Sequence, residues 1–337
     1  MAACADDGDE GAAATSGGSD SDGTSASDGA SDATAAASTA GATGSSSSDT
    51  SSDAGAATDS DAPPCADSGA RADCSAAPVV IAADALRREL AAVQVLDVRS
   101  LAAWQLERIP GSVALDAASL RAEVDGVRGQ VAPLSDTREV LRAAGLRAGV
   151  PVVVVGEPLS LDAARVVWTL RYYGEPDAAA LDGGWSAWIA AGGPTSTAPA
   201  PAIAPGDWTE QDVGDPALRV DAGWVAEHLD DPQVVLFDAR MTSEFEAGHI
   251  PGARSVEWSR NLAGGRLLPA TTLAPLYELA AAAPAPELTL VAYCQTGSRA
   301  AMTWLALRWL GYRDVRLYDG SWEEWSQDPA RPVETGP

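Results

Sequence analysis

The chain repeats itself, and this limits its fold more than any other property it has. Leu96-Asp97-Val98-Arg99 with Ile109-Pro110-Gly111 recurs 141 positions later as Phe237-Asp238-Ala239-Arg240 with Ile250-Pro251-Gly252. Further on, Arg171 and Gly174 recur as Arg308 and Gly311 at an offset of 137. At the same offset Asp182-Gly183-Gly184-Trp185 with Trp188 recurs as Asp319-Gly320-Ser321-Trp322 with Trp325. Motifs in the same order, twice over, imply two copies of one domain of about 120 residues. The copies are expected over 78–195 and 217–335. Residues 196–216 between them, rich in Pro, Ala, Gly and Thr, suit a linker.

Within each copy, short apolar runs alternate with helical periodicity. Val93–Val98, Val150–Val155, Val234–Phe237 and Leu288–Tyr293 read as buried strands. Ala83–Ala91, Ala163–Tyr173, Ala222–Leu229 and Leu273–Ala282 read as helices. That alternation predicts an α/β fold in which each copy is a mostly parallel sheet flanked by helices. Residues 1–77 do not join it, because they contain no Val, Ile, Leu, Phe, Trp or Tyr and cannot bury a core. They read as a disordered, low-complexity acidic tail.

The tail carries 14 acids and one arginine, half of the net charge of −26. A chain this negative repels nucleic acid and anionic lipid, and no run of about 18 apolar residues offers a membrane span. All 22 basic residues are arginine, which removes lysine chemistry from consideration.

Three of the four cysteines, Cys4, Cys65 and Cys74, fall in the tail. Their spacing matches no zinc site, and whether Cys65 and Cys74 pair is open. Met1-Ala2-Ala3-Cys4 before a polar tether resembles the cleavage point of a bacterial lipoprotein signal, so the expected location is the cell envelope or periplasm on that reading and the cytoplasm on the other. Cys294 is different. The run Val291-Ala292-Tyr293 delivers it into Gln295-Thr296-Gly297-Ser298-Arg299, and Met302–Leu310 reads as an amphipathic helix behind this loop. Loop N–H groups and a positive helix end converging on sulfur favour a thiolate. The competing reading is a small buried hydrophobe. Applying the offset of 137 sets Glu157 against Cys294 and Asp162 against Arg299, so the first copy is expected to lack the chemistry and to act as scaffold.

Asp-x-Arg after a strand, Glu244-Phe245 before Gly248-His249-Ile250-Pro251-Gly252-Ala253, Cys-x-x-Gly-x-Arg, and Asp-Gly-x-Trp-x-x-Trp together resemble the rhodanese superfamily. The tandem layout is similar to the two-domain thiosulfate and 3-mercaptopyruvate sulfurtransferases, and it covers everything but the tail. The resemblance implies that Cys294 takes a sulfur from a small-molecule donor, carries it as a persulfide and hands it to cyanide or a thiol, with ping-pong kinetics. It implies no metal and no cofactor, and a monomer is expected. Gln295, Thr296, Gly297, Ser298 and Arg299 would bind substrate, with Gly297 permitting the close turn. For Arg299 a structural clamp and direct anion binding stand as equal readings. Arg240 is a further binding candidate, although the pair Asp238 and Arg240 recurs in the copy without a thiol and so reads first as structural. The donor expected is thiosulfate, because no glycine follows the cysteine and Arg299 supplies a positive edge for a dianion; 3-mercaptopyruvate is the alternative. A sulfur carrier without turnover is a second class of reading. A phosphatase is disfavoured, because related cysteine phosphatases place seven residues from Cys to Arg and this loop places six.

Overall fold

The computed structural model describes residues 78–209, 214–277 and 288–337. The tail with Cys4, Cys65 and Cys74, and residues 278–282 of the helix expected over Leu273–Ala282, lie outside them. The first copy runs β1 (Val80–Ile81), α1 (Ala83–Glu89), β2 (Gln94–Asp97), α2 (Leu101–Leu106), β3 (Val113–Ala114), β4 (Arg121–Val124), β5 (Val127–Val131), α3 (Leu134–Ala143), β6 (Val152–Val155), α4 (Leu161–Tyr172), β7 (Ala179–Leu181) and α5 (Gly184–Ala190). The second repeats the order as β8 (Arg219–Val220), α6 (Ala222–Glu227), β9 (Val234–Asp238), α7 (Thr242–Ala247), β10 (Arg254–Ser255), β11 (Leu262–Ala263), β12 (Arg266–Leu267), α8 (Ala270–Leu276), β13 (Thr289–Tyr293), α9 (Ser298–Trp309), β14 (Val315–Tyr318) and α10 (Ser321–Trp325).

Each copy builds one five-stranded sheet, ordered β1-β7-β6-β2-β3 in the first and β8-β14-β13-β9-β10 in the second, with every pairing parallel. The middle strands β6 and β13 are made of β-branched and apolar residues because both of their faces are covered. Asp97 and Asp238 end the neighbouring strands, and each accepts a fork of hydrogen bonds from Arg99 or Arg240.

The largest hydrophobic cluster runs through both copies and joins Trp168 and Val166 of α4 to Trp304, Leu305 and Met302 of α9. Two smaller clusters fill the outer faces. This corrects the amphipathic reading of Met302–Leu310: every residue from Ala300 to Leu307 is buried. A helix packed on its own sheet and on its counterpart in the other copy needs an apolar surface nearly all round. The linker is also tighter than its composition suggested. Trp208 is fully buried, its amide donates to the Leu146 carbonyl at 3.0 Å, and the Gly206 amide donates to Arg142 at 2.8 Å.

The two antiparallel hairpins, β4–β5 and β11–β12, leave their own sheets and cross to the opposite copy. Val131 donates its amide to Asp319 at 2.8 Å, and Leu267 donates to Asp182 at 3.0 Å. The same Asp-Gly-x-Trp aspartate therefore anchors the partner hairpin in both directions.

Candidate active site

Cys294 follows directly on β13, the middle strand, and only 1% of its surface is exposed. Gln295 and Thr296 carry the chain to Gly297, whose left-handed φ of 83° turns it into α9 at Ser298. The helix thus begins four residues earlier than the sequence suggested, and Ser298 and Arg299 form its first turn. Its unpaired N-terminal amides and dipole lie next to the thiol.

The start of α10 holds the loop from the other side. Trp322 and Glu323 donate their amides to the carbonyls of Cys294 and Gln295 at 2.9 and 3.0 Å. The Cys294 amide donates to Ser321 Oγ at 3.1 Å, and that hydroxyl donates to the Tyr318 carbonyl at 2.8 Å. Ser321 stands at φ 53°, a strained value for a residue with a side chain.

Beneath and around the loop stand residues of the first copy. Gly129, in hairpin β4–β5, touches Thr296 so closely that a Cβ there would lie 2.9 Å from the Thr296 carbonyl. Arg121 donates to Ser298 Oγ at 2.8 Å and reaches Asp162 at 3.4 Å. Arg128 pairs with Glu323 at 2.7 Å, and Glu323 also accepts from the Gln295 side chain at 3.3 Å. Arg165 and Asp319, both fully buried, meet at 2.6 Å directly under Gly297.

Among the predicted residues, Cys294 through Arg299 are brought together in this one loop. Arg299 does not present a free positive edge: it makes a two-pronged pair with Glu244, at 2.5 and 2.9 Å. That bond holds the Glu244 carboxyl below its usual range, and the Glu244 carboxylate holds the Arg299 guanidinium above its own. Arg240 is not free to bind substrate either. Its donors go to Asp238 at 2.6 Å and the Gly248 carbonyl at 2.7 Å, and its guanidinium lies 4.5 Å from the Trp322 ring. Arg99 repeats this arrangement over Trp185 in the first copy, which is the structural role. Arg121, Arg128, Arg165 and Glu323 were not singled out from the sequence, and Glu244 was read there as part of a motif without a place in the site. Three of them come from the other copy, Arg121 and Arg128 on the crossing hairpin β4–β5 and Arg165 on α4, which packs against α9.

The register corrects one alignment. Asp97 faces Val155 across its sheet, and Asp238 faces Tyr293 across the other, an offset of 138. Trp185 donates to Gly156, as Trp322 donates to Cys294. The counterpart of Cys294 is therefore Gly156, and Glu157 sits one place further in a loop longer by one residue. The Glu157 carboxylate accepts from Ser186 at 2.5 Å. A Cβ on Gly156 would collide with Ser160 Oγ, and the Leu159 amide donates to Gly265 of the crossing hairpin at 3.1 Å. Among the described residues no group of three or more His, Cys, Asp or Glu side chains could hold a metal, and no helix is long and apolar enough to cross a membrane.

A model of the rhodanese-like domain matches residues 82–191 and 221–328. A probable 3-mercaptopyruvate sulfurtransferase of Pseudomonas aeruginosa is 38% identical over 250 residues, covering 69% of this chain and 86% of the relative. A thiosulfate sulfurtransferase of Azotobacter vinelandii is 30% identical over 275 residues, covering 78% of this chain and 99% of the relative. The crystal structure of SseA from Escherichia coli, a 3-mercaptopyruvate sulfotransferase by its description, superposes with a TM-score of 0.64 at 24% identity over 73% of this chain and 99% of its own.

Proposed function

The chain belongs to the rhodanese-like family as a tandem-domain sulfurtransferase of the thiosulfate or 3-mercaptopyruvate type, and on that premise we propose that it moves sulfane sulfur through a persulfide on Cys294. The observation that carries the reading is the position of this thiol, at the end of the middle strand and against the first turn of α9. The thiolate attacks the outer sulfur of thiosulfate. A Cys294 S–S bond forms, the donor S–S bond breaks, and sulfite leaves with the electron pair. Cyanide or a thiolate then attacks the terminal sulfur, and the Cys294 thiolate is released. Amides from Gln295 to Arg299 stabilise the negative charge on the attacking and leaving sulfur atoms.

The first copy supplies the cover and the buried Arg165, and it performs no transfer of its own. Gly156 offers no nucleophile, and Gly265 fills the space beside its loop.

Mercaptopyruvate as donor is the second reading. It is favoured by the Glu244 pair, which cancels the positive edge on which the preference for a dianion rested, and by the 38% identical relative. Incubation with thiosulfate followed by intact-mass measurement tests the common step. The protein should gain one sulfur atom, and Cys294→Ala should gain none. An unchanged mass with both donors, together with no thiocyanate from thiosulfate and cyanide, would remove the proposal. Steady-state kcat/KM values for the two donors, measured side by side, decide between them.

A further inference from the structure

Arg299 is the one charged side chain in the six-residue loop, and Glu244 occupies it. The carboxylate comes from the first turn of α7, where its Oε2 also accepts the Met241 amide at 3.0 Å. A salt bridge at the rim of a site would ordinarily read as scaffold. The two copies allow that reading to be checked inside one chain.

Scaffold motifs are present in both copies: Asp238 and Arg240 answer to Asp97 and Arg99, and Asp319 and Trp322 answer to Asp182 and Trp185. Glu244 answers to Ala103, Arg299 to Asp162, and Cys294 to Gly156. The α2 helix forms without the carboxylate, capped by Ser100, whose Oγ accepts the Ala103 amide. Glu244 therefore accompanies the thiol and its arginine; in α7 it also takes the cap that Ser100 provides in α2, so the role argued next is additional to that structural one.

Its effect on the site is electrostatic. A free guanidinium at the rim would draw anions in, and the paired one contributes little net charge. The other cations on the rim are matched in the same way, Arg121 with Asp162 and Arg128 with Glu323. An incoming anion meets the loop amides, the helix end and an Arg299 guanidinium that still interacts with Cys294 but whose charge Glu244 offsets. Resting on the proposed role of Cys294 as nucleophile, we infer that Glu244 is a specificity-determining residue. By offsetting Arg299 it sets the thiol against anionic partners in proportion to their charge, doubly charged ones most and neutral ones least.

The test uses the full chain and two alkylating agents of similar size and different charge, neutral iodoacetamide and anionic iodoacetate. Rates are measured on the Cys294-containing peptide by mass spectrometry, at one pH and low salt. Replacing the carboxylate by Glu244→Gln keeps the acceptor for Met241, and it should raise the iodoacetate-to-iodoacetamide rate ratio about tenfold, an effect that shrinks at high salt. Arg299→Gln leaves Glu244 unopposed and should move the ratio the other way, so a folding defect in one variant leaves the other informative. A ratio unchanged in both folded variants would overturn the inference, since a purely structural pair would alter stability without altering discrimination by charge. The same Glu244→Gln substitution should shift the kcat/KM ratio of thiosulfate over mercaptopyruvate towards thiosulfate. Alkylation needs no sulfur transfer, so a protein that transfers none would fail the proposed function while still reporting on Glu244.

Discussion

Arg165 stands on α4 of the first copy, yet its guanidinium lies under Gly297 of the second. A Cβ on Gly297 would come within 2.7 Å of Arg165 Nη1 and 3.0 Å of Asp319 Oδ1, so the positive φ and the close approach both demand glycine there. Asp319 gathers Arg165 at 2.6 Å, the Val131 amide at 2.8 Å and Arg219 at 3.4 Å. Among the described residues the Nε and Nη1 atoms of Arg165 have no hydrogen-bond partner, and its guanidinium lies 4.6 Å from the Trp168 ring. Truncating one partner of a buried pair costs about 3–5 kcal/mol, so Arg165→Met should lower the urea midpoint markedly. Adding Asp319→Asn removes the stranded charge and should recover part of the loss. Equal midpoints for the wild type and Arg165→Met would contradict this account. Asp319 was legible in the sequence as a repeated motif residue. Arg165 was not, because its counterpart is Met302 and comparing the copies shows nothing shared at that place.

At the scale of elements, the strand–loop–helix unit around Cys294 differs from its twin by one residue of loop length. Placing a thiol at the matched position, Gly156→Cys, should not create a second persulfide. Its Cβ would meet Ser160 Oγ, and the neighbouring amide of Leu159 is taken by Gly265. Mass analysis after thiosulfate treatment should show at most one added sulfur; two would mean that the first loop is competent. The repeat made both copies legible and apolar runs marked β2, β6, β9 and β13, though not β7 and β14, because buried parallel strands leave runs of apolar residues. The single-residue insertion was not legible. The offset falls from 141 to 137 across a stretch without repeated motifs, and only the register of β6 and β13 shows that it stands at 138 there. The crossing hairpins were missed because strands as short as two residues, like β11 and β12, carry no periodicity to read. Glu244 lies 55 positions before Arg299 in sequence, and their pairing depends on where α7 ends up.

For the molecule as a whole, burial pushes the Tyr173 phenol up to about 12 and drives Tyr277, Tyr293 and Tyr318 above the ordinary value as well. The neutral form of each is the one the fold accepts. Their contribution to stability is complete below the unfolded value of about 10 and is lost as pH rises through the folded values. Phenolate absorbance from these four rings should therefore appear together with unfolding in an alkaline titration; full ionisation with the native circular dichroism intact would refute it. At the acid end the sign reverses, and the pair of Glu244 with Arg299 is kept above the usual carboxylate range and lost as pH falls through the depressed folded value.

The exchanged hairpins carry an evolutionary consequence. A duplicated domain is ordinarily free to be deleted once its chemistry has decayed, because its sister can do without it. Here each copy roofs the other's loop, so losing the first copy would strip the Cys294 loop of Gly129, Arg121 and Arg165 together. This geometry tolerates changes within the first loop more readily than deletion of the first domain. The duplication is thereby locked in place by geometry.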